Sequence, residues 1–487
     1  MELRDYQKTA IENCRKAFRE KNNSVLLVAP TGAGKTVMFA HIAQEASRKG
    51  KRVLICAHRE ELIDQISQTL THFDVAHGFI ASTRKPAPMG LVAVASVQTL
   101  VNRLDSINPS LIVLDEAHHA VAGSWKKIIN AYPKAKLLGV TATPQRLDGS
   151  GLGDIFKTMV LGPQVKELQA LGFLSGVKYF GPQTVDPSQL AKRGGEYTIN
   201  GAAELMMPTG DIGKVTGEAI EEYRKNADGQ RAVVFCVNII HAQRVADQFC
   251  EAGYRWASID SKMTKEARKQ IVADFRSGAL QGVSSCDIIS EGFDLPEASV
   301  AILLRPTKSL GLFMQQVGRV LRTAAGKTHA TVIDHVCNIG KSVEGEFEIT
   351  HGFIEQERIW SLSGEVKAKN STIPCKRCPE CYALNPISVQ FCTECGHEFI
   401  AKKEPPKPSG GIIAEFDREA IMAQIETRLE DWIKAAKFSE VLRWARTEEQ
   451  LQQVADIRGY KPQWIHIILE GRRKWAAGRA ASKARCP

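Results

Sequence analysis

Short apolar runs, separated by longer stretches with helical patterning, recur along the chain as far as about residue 335 and constrain its fold more than any other feature. Each run has the length and composition of a buried strand. Strands that alternate with helices in this way form parallel sheets with helices on both faces. A first series is SVLLVA (24–29), KRVLICA (51–57), GLVAVAS (90–96), SLIVLDE (110–116) and KLLGVTA (136–142). A second series is RAVVFCV (231–237), YRWASID (254–260), GVSSCDI (282–288), SVAILL (299–304) and HATVIDH (329–335). The pattern predicts two α/β domains in tandem.

The rest of the chain sets the expected domain boundaries. Residues 161–210 show no clear period and are interpreted as a connector, and after about residue 345 the strand pattern stops. A cysteine cluster follows, then the Pro/Gly-rich stretch KKEPPKPSGG (402–411), which is typical of a linker. We therefore expect an α/β domain at 1–165, a connector with a second α/β domain at 166–345, a cysteine-rich region at 346–403, and a linker with a helical tail at 404–487.

The segment APTGAGKT (29–36) joins the first predicted strand to the following helix. Gly32 and Gly34 allow a tight turn in which backbone N–H groups face phosphate oxygens. Lys35 would then reach the outer phosphates, and Thr36 would offer its hydroxyl to Mg²⁺. Because strand, loop, Lys-Thr and helix occur in this order, the segment predicts a nucleoside-triphosphate site rather than a simple glycine turn.

In LIVLDEAHHA (111–120), four apolar residues run directly into Asp115 and Glu116. Two acids at the end of a buried strand cost free energy unless they hold something positive or polar. Ligands gather at this end of the strands in open α/β sheets, so Asp115 is predicted to hold the Mg²⁺ of a bound nucleotide. Glu116 would orient and deprotonate the attacking water. Two roles stay open for His118, coupling the nucleotide site to the second domain or capping the following turn, and His119 is expected at the surface or in packing.

Five of the 12 cysteines lie between residues 375 and 395. The pairs Cys378-x₂-Cys381 and Cys392-x₂-Cys395 supply four thiolates, enough for a closed tetrahedral Zn²⁺ site. Cys375 is an extra cysteine that could replace Cys378, but the two-residue spacing favours Cys378. The cluster predicts a zinc ribbon that binds nucleic acid or a partner, or that stabilises a small fold lacking a core.

The composition is that of an ordinary globular protein, with 44% hydrophobic and 24% charged residues. A net charge of +10 is a weak indication of a polyanionic partner. No apolar run approaches membrane-spanning length, and MELRDYQK at the N-terminus is charged from its second residue, unlike a secretory signal. We therefore expect a cytoplasmic protein without a membrane partner.

The tail is predicted to be helical. Ile421, Ile425, Leu429 and Ile433 recur every four residues on one face, and Thr447 with Gln450 forms a capping-box pattern. Four of the seven tryptophans lie in this tail, which ends with six Lys/Arg and no Asp/Glu from residue 472 onward. Basic groups beside aromatic rings can bind phosphates and stack on unpaired bases. The alternative is a small helical core, which is favoured for Trp432 and left open for Trp475.

Taken in order, these motifs resemble those of superfamily-two helicases with a DEAH box, over about residues 3–336. The resemblance rests on the phosphate loop and the acid pair together with LRDYQ (3–7), TATP (141–144), ISEGFDLP (289–296) and QQVGRVLR (315–322). It implies two tandem RecA-like domains, followed here by the zinc ribbon and the helical segment. It also implies that ATP is the nucleotide and that its hydrolysis drives movement on nucleic acid.

The resemblance assigns further roles. Gln7 would read the adenine, and Asp294 would contact the nucleotide or link the two sites. Arg319 and Arg322, on the second domain, would stabilise charge on the γ-phosphate in the transition state. ATP would thus join the domains, so that binding closes the cleft and hydrolysis reopens it. The expected nucleotide-binding residues are Gln7, Thr31, Gly32, Ala33, Gly34, Lys35, Thr36, Asp115 and Asp294.

The nucleic-acid contacts are also taken from the resemblance. Arg59 in AHRE (57–60), with Ser96 and Gln98 in SVQTL (96–100), would contact the sugar-phosphate backbone, which positions a strand without reading its bases. For Ser96 and Gln98 a structural role is equally open.

A DEAH core followed by a cysteine ribbon further resembles bacterial RadD-type DNA-repair helicases and their phage-encoded relatives. We expect an ATP-dependent DNA helicase or translocase acting on branched or single-stranded intermediates, with single-strand-binding or other repair and replication proteins as further partners. An RNA-remodelling ATPase is the alternative. A non-catalytic scaffold is disfavoured because the predicted nucleotide-site residues are all in place.

Overall fold

All ten apolar runs of the sequence form strands in the computed structural model. The structure describes residues 2–20, 22–82, 84, 90–146, 149–181, 186–187, 190–193, 195–207, 214–286, 295–343, 346–364, 375–377, 384–386, 391, 414–415, 429–445, 447–461 and 463–470. Asp294, the linker 404–411, Trp475 and the four predicted zinc ligands (Cys378, Cys381, Cys392 and Cys395) lie outside these residues.

The first domain is built on a sheet in which every neighbouring pair of strands is parallel, as the sequence predicts. Its strands are β1 (Ser24–Val28), β2 (Val53–Ala57), β3 (His77–Ile80), β4 (Val92–Ser96), β5 (Leu111–Asp115), β6 (Lys136–Thr141) and β7 (Thr158–Leu161), in the order β3-β4-β2-β5-β6-β1-β7. The helices are α1 (Asp5–Arg19), α2 (Lys35–Arg48), α3 (Glu60–His72), α4 (Val97–Leu100) and α5 (Gly123–Ala131), with short 3₁₀ helices at Leu104–Ser106 and Ala117–His119.

The register of this sheet brings three motifs to one edge. Strand β6 lies between β1 and β5, with Thr141 beside Val28 and Val140 beside Asp115. The phosphate loop, the acid pair and TATP therefore all begin at the carboxyl ends of adjacent strands, where open α/β sheets bind their ligands.

The predicted connector and the residues just before it contain regular structure that belongs to both domains. Strand β7 joins the first sheet, and after α6 (Val165–Ala170) strand β8 (Gly176–Gly181) joins the second. A hairpin of β9 (Lys192–Arg193) and β10 (Glu196–Tyr197) follows, and then α7 (Ile199–Met206).

The second domain has a similar parallel sheet, which confirms the predicted tandem arrangement. The remaining strands are β11 (Ala232–Phe235), β12 (Trp256–Ile259), β13 (Gly282–Ser285), β14 (Val300–Leu303), β15 (His329–Asp334), β16 (Gly340–Val343), β17 (Glu346–Ile349), β18 (Cys375–Arg377), β19 (Leu384–Pro386) and β20 (Ala414–Glu415). The second sheet has the order β12-β13-β11-β14-β15-β8-β20, with β20 antiparallel at the edge, while β16 with β17 and β18 with β19 form hairpins. The helices are α8 (Lys214–Ala227), α9 (Ile239–Glu251), α10 (Lys265–Ser277) and α11 (Leu310–Gly318).

Residues 351–364, the strap, return from the second domain to the first. The Arg358 N–H donates to Gln164 Oε1 at 3.0 Å, and the Gly153 N–H donates to Leu362 O at 2.8 Å. Trp360 and Leu362 pack against the apolar core of the first domain. The strap therefore fastens the two domains to each other over a segment that the strand pattern does not reveal.

The described residues from 429 onward belong to a separate small unit. Residues 429–435 and 463–470 are helical, as are α12 (Phe438–Trp444) and α13 (Glu448–Arg458). Helix α13 begins with the predicted capping box of Thr447 and Gln450. Trp432 and Trp444 pack edge to face at 6.0 Å, in agreement with a core role for Trp432.

None of the described helices is long and apolar enough to cross a membrane.

Candidate ATP site between two parallel-sheet domains

The phosphate loop runs from the end of β1 to the first residue of α2, Lys35. Gly32 and Gly34 have φ angles of +89° and +74°, which glycine adopts at no steric cost. A Cβ atom on Gly34 would also lie 2.5 Å from Gln7 Nε2, so a side chain there would have to displace Gln7. The loop thus leaves the backbone N–H groups at the start of α2 available for an anion.

Gln7 lies beneath this loop. It is 4% exposed, and its Nε2 donates to Ala33 O at 3.3 Å while its Oε1 accepts the Arg4 N–H at 3.0 Å. Tyr6 donates its hydroxyl to the same Ala33 carbonyl at 3.1 Å. The motif that the resemblance assigns to adenine reading therefore adjoins the phosphate loop, with the Arg4 guanidinium 3.9 Å from the ring of Phe173.

The acid pair stands at the end of β5. Both residues are buried, and the Glu116 N–H donates to Asp115 Oδ1 at 3.1 Å. Glu116 has a φ of +50°, a left-handed conformation that costs a non-glycine residue about 1–3 kcal/mol and is characteristic of functional sites. Its Oε2 is buried, lies 3.4 Å from His118 Nδ1, and has no hydrogen-bond partner among the described residues. The turn therefore holds a buried carboxylate oxygen that can accept a proton.

The pKa of Lys35 is affected by the acid pair and by the two arginines of the second domain. Burial lowers the pKa of its ammonium group, Glu116 and Asp115 raise that pKa, and Arg319 and Arg322 lower it further. Burial likewise lowers the pKa of Arg322 to about 10. Asp115, Glu116, Arg319 and Arg322 therefore all lie close enough to Lys35 to affect its charge.

The second domain meets the phosphate loop at two glycines. A Cβ atom on Gly318, the last residue of α11, would lie 2.7 Å from Thr31 Cβ. A Cβ atom on Gly32 would lie 2.7 Å from Leu174 Cδ2, and Leu174 forms a β-bridge with Arg322. Arg319 and Arg322 therefore reach the nucleotide loop from a segment that packs directly on it.

His118 links the acid pair to TATP. Its Nδ1 lies 3.2 Å from Thr141 Oγ1, which donates to Thr143 O at 2.9 Å. A Cβ atom on Gly311 of α11 would lie 2.9 Å from Thr143 Oγ1, so this path reaches the second domain. The coupling role of His118 stays a prediction, which this path supports.

The residues assigned to nucleic-acid contact lie together at the carboxyl ends of β2 and β4. Ser96 donates to Gln98 Oε1 at 2.7 Å, and Gln98 Nε2 donates to His58 O at 3.0 Å. The ring of His58 is 4.8 Å from that of His119, which is 4.1 Å from that of His118. His119 therefore joins this cluster to the acid pair, a contact that its sequence position does not indicate.

The donor set fits Mg²⁺. Asp115 is 4% exposed at the strand end and Thr36 follows Lys35 in the first turn of α2. A carboxylate and a hydroxyl, completed by phosphate oxygens and water, are the hard oxygen ligands that Mg²⁺ prefers. In the described part of the chain no cluster of three or more His, Cys, Asp or Glu side chains offers a second metal site.

The arginine segment, residues 308–322, is contacted by two residues that lie outside its motif and that the sequence analysis did not identify. Glu196 accepts hydrogen bonds from the N–H groups of Lys308 and Ser309, at 2.8 and 3.2 Å, just before α11 begins. Lys327 contacts the other end of the segment. Both belong to sequence stretches without a motif, and their spacing along the chain gives no signal.

Two protein families match the parts of the chain that form this site. Residues 1–146 match the family described as "Type III restriction enzyme, res subunit", and residues 215–324 match "Helicase conserved C-terminal domain". A 51.5 kDa protein of Lactococcus phage (isolate 7-9) is 34% identical over 387 residues, covering 78% of this chain and 80% of the phage protein. The "Putative ATP-dependent helicase IRC3" of Saccharomyces cerevisiae is 29% identical over 354 residues, covering 69% of this chain and 51% of the yeast protein.

A solved structure, "ATP-dependent Type ISP restriction-modification enzyme LlaBIII bound to DNA", shares the fold. It has a TM-score of 0.52 and 21% identity, and the match covers 68% of this chain and 28% of that protein. The family matches fall on the two parallel-sheet domains that carry the acid pair and the arginines, and the helicase relatives extend across both. The chain is an ATP-hydrolysing, nucleic-acid-dependent enzyme, and it belongs to the superfamily-two helicases.

Proposed function

We propose that this chain is a DNA helicase or translocase that couples ATP hydrolysis to movement along DNA. The observation that carries the proposal is the packing of the two domains at the phosphate loop, where Gly318 lies against Thr31 and Leu174, which bridges to Arg322, lies against Gly32. A nucleotide held at such a site contacts both domains. Its binding and hydrolysis can therefore drive their relative movement.

Each predicted residue has a role in this reaction. Lys35 and the loop residues Thr31, Gly32, Ala33 and Gly34 hold the phosphates, and Gln7 holds the adenine. Thr36 and Asp115 would hold Mg²⁺, which neutralises phosphate charge. Glu116 accepts the proton of the attacking water, since its Oε2 is buried and makes no hydrogen bond among the described residues, with His118 Nδ1 3.4 Å away.

Arg319 and Arg322 stabilise the charge that develops on the transferred phosphoryl group. Asp294 is proposed to link this site to the nucleic acid, on the resemblance alone. The geometry of the described residues supports the arginine role because Gly318 and Leu174 bring the arginine segment onto the phosphate loop.

DNA is the proposed nucleic-acid substrate. The LlaBIII structure, which shares the fold, holds DNA, and the match to a restriction-enzyme family points the same way. Contacts through Arg59 and Gln98 would follow the sugar-phosphate backbone and would not select a sequence. The competing alternative is an RNA-remodelling ATPase, because the residues of the ATP site do not by themselves distinguish an RNA motor from a DNA motor.

The C-terminal parts are proposed to choose the substrate. Cys378, Cys381, Cys392 and Cys395 would hold Zn²⁺, since two CxxC pairs separated by ten residues supply a four-thiolate set. Zinc content measured in the purified protein, and its loss in Cys392→Ser, tests this site. Repair or replication proteins that bind single strands are the proposed partners of the tail.

ATP hydrolysis measured in parallel with single-stranded DNA, duplex DNA, forked DNA and RNA tests the proposal. For a DNA motor, the rate of ATP hydrolysis with DNA should be well above the rate with RNA. Stimulation by RNA alone would replace the proposal with the RNA-remodelling function.

A further inference from the structure

Lys327 holds three backbone carbonyls with one ammonium group. Its Nζ donates to Val320 O at 2.6 Å, Ala298 O at 2.6 Å and Arg322 O at 2.7 Å. An ammonium group has three N–H donors, so all of them are used. Hydrogen bonds from a charged donor at these distances are short and strong.

Two of these carbonyls belong to the arginine segment just after α11. The Leu321 carbonyl between them accepts the Ser175 N–H at 2.8 Å, and Arg322 bridges Leu174. The backbone that carries Arg322 is therefore held both by residues 174–175 and by Lys327.

The third carbonyl lies two residues after a different motif. Ala298 lies between ISEGFDLP and strand β14, and its N–H donates to Leu295 O at 3.1 Å. Lys327 therefore ties the end of that motif to the segment of Arg322.

We propose that Lys327 is a positioning residue for Arg322, fixing the backbone so that the guanidinium group meets the transferring phosphoryl group. The proposal rests on the proposed role of Arg322 and goes beyond it, because all three donors of Lys327 bind backbone carbonyls and would act on ATP only through Arg322. A shift of about 1 Å in a catalytic group costs roughly 10²-fold in rate, which is the scale expected when the anchor is lost.

The anchor is sensitive to pH. Burial lowers the pKa of Lys327 to about 8, the Arg322 charge adds to this, and Glu297 opposes it. Above that pH the amine loses its charge and one of its three donors. The turnover number should therefore fall as pH rises through about 8.

The test compares Lys327→Met, which removes every donor, with Lys327→Arg, which keeps the charge at high pH. Lys225→Met, at an exposed position on α8 of the same domain, is the matched control. We expect Lys327→Met to lower kcat by roughly 10²-fold while affinity for a non-hydrolysable ATP analogue stays within about threefold. Lys225→Met should match the wild type in both.

The double variant Lys327→Met/Arg322→Ala should hydrolyse ATP no more slowly than Arg322→Ala, because the anchor acts only through the guanidinium. Full activity in Lys327→Met, or a double variant slower by the product of the single losses, would overturn the proposal. If Arg322→Ala itself hydrolyses ATP normally, the proposed catalytic role fails instead.

A pH series decides the case even if Lys327→Met does not fold. From about pH 6.5 to about pH 9.5, the wild type should lose kcat through about pH 8, and Lys327→Arg should keep its own kcat level over the same range. The same alkaline loss in both proteins would contradict the proposal.

Discussion

Gly318 of α11 lies against Thr31 of the phosphate loop with no room for a side chain between them. A Cβ atom at position 318 would come within 2.7 Å of Thr31 Cβ. The second domain thus rests on the nucleotide loop itself, and its two arginines follow within four residues.

Gly318→Ala should separate α11 from the loop. Because the added methyl group meets a β-branched side chain that cannot rotate away, we expect kcat/KM for ATP to fall by roughly tenfold or more. Gly217→Ala on α8 is the control, since a Cβ atom there meets open space and alanine favours a helix. Steady-state ATP hydrolysis by both variants checks this, and equal rates would show that the contact is not needed.

Glu116→Gln should bind ATP with Mg²⁺ but fail to turn it over. Asp115 remains to hold the metal, while the group that accepts the proton is lost, at a cost of about 10²–10⁴-fold in rate. Calorimetric ATP titration and multiple-turnover hydrolysis measure the two effects. Lys35→Ala, in contrast, should weaken ATP binding as well, and normal hydrolysis by Glu116→Gln would remove Glu116 from the role of base.

His119→Ala should uncouple DNA from hydrolysis. Its ring joins His58, beside the proposed DNA contacts, to His118, beside Glu116. We expect basal ATP hydrolysis to persist while stimulation by DNA falls roughly fivefold or more. His72→Ala, at an exposed position at the end of α3, is the control. An unchanged ratio of stimulated to basal rate in His119→Ala would exclude this path.

Truncation after Asp417 should leave basal ATP hydrolysis intact and weaken DNA binding. The cut is placed there because Ala414–Glu415 pairs with β8 at the edge of the second sheet, so an earlier cut would damage the motor. The removed tail carries the basic end, so the dependence of DNA affinity on salt should become less steep, by about one unit of slope per lost phosphate contact. Fluorescence titrations at several salt concentrations measure this, and identical slopes would favour protein partners for the tail.

The fold was largely predictable because its strands are buried on both faces and therefore read as continuous apolar runs. All ten runs form strands, Gly32 and Gly34 lie in the loop between β1 and α2, and the acid pair stands at the end of β5, as the pattern predicts. Strands β3, β7 and β8 were not predicted: HGFI and TMVL have only four residues each, and GVKYFG lies in the stretch at 161–210 that shows no clear period.

The contacts that assemble the site across the domains could not be predicted from local patterns. Leu174 is an ordinary leucine in the sequence, and only the fold places it between Gly32 and Arg322. In the same way, Lys327 binds the Ala298 carbonyl 29 residues earlier in the chain, and His119 contacts His58 at the end of another strand. Local patterns indicate neither contact. The strap at 351–364 has no strand or helix period, and its packing on the first domain follows from Trp360 and Leu362 reaching that core.

The central claim is that ATP is hydrolysed at a composite site completed by Arg322 of the second domain. Single-turnover hydrolysis by Arg322→Ala, measured beside its ATP affinity, tests this most directly. Because the charge that Arg322 meets develops mainly in the transition state, the rate should fall by about 10³-fold or more while affinity changes by less than roughly tenfold. An equal loss of rate and affinity, or no loss of rate, would contradict the account.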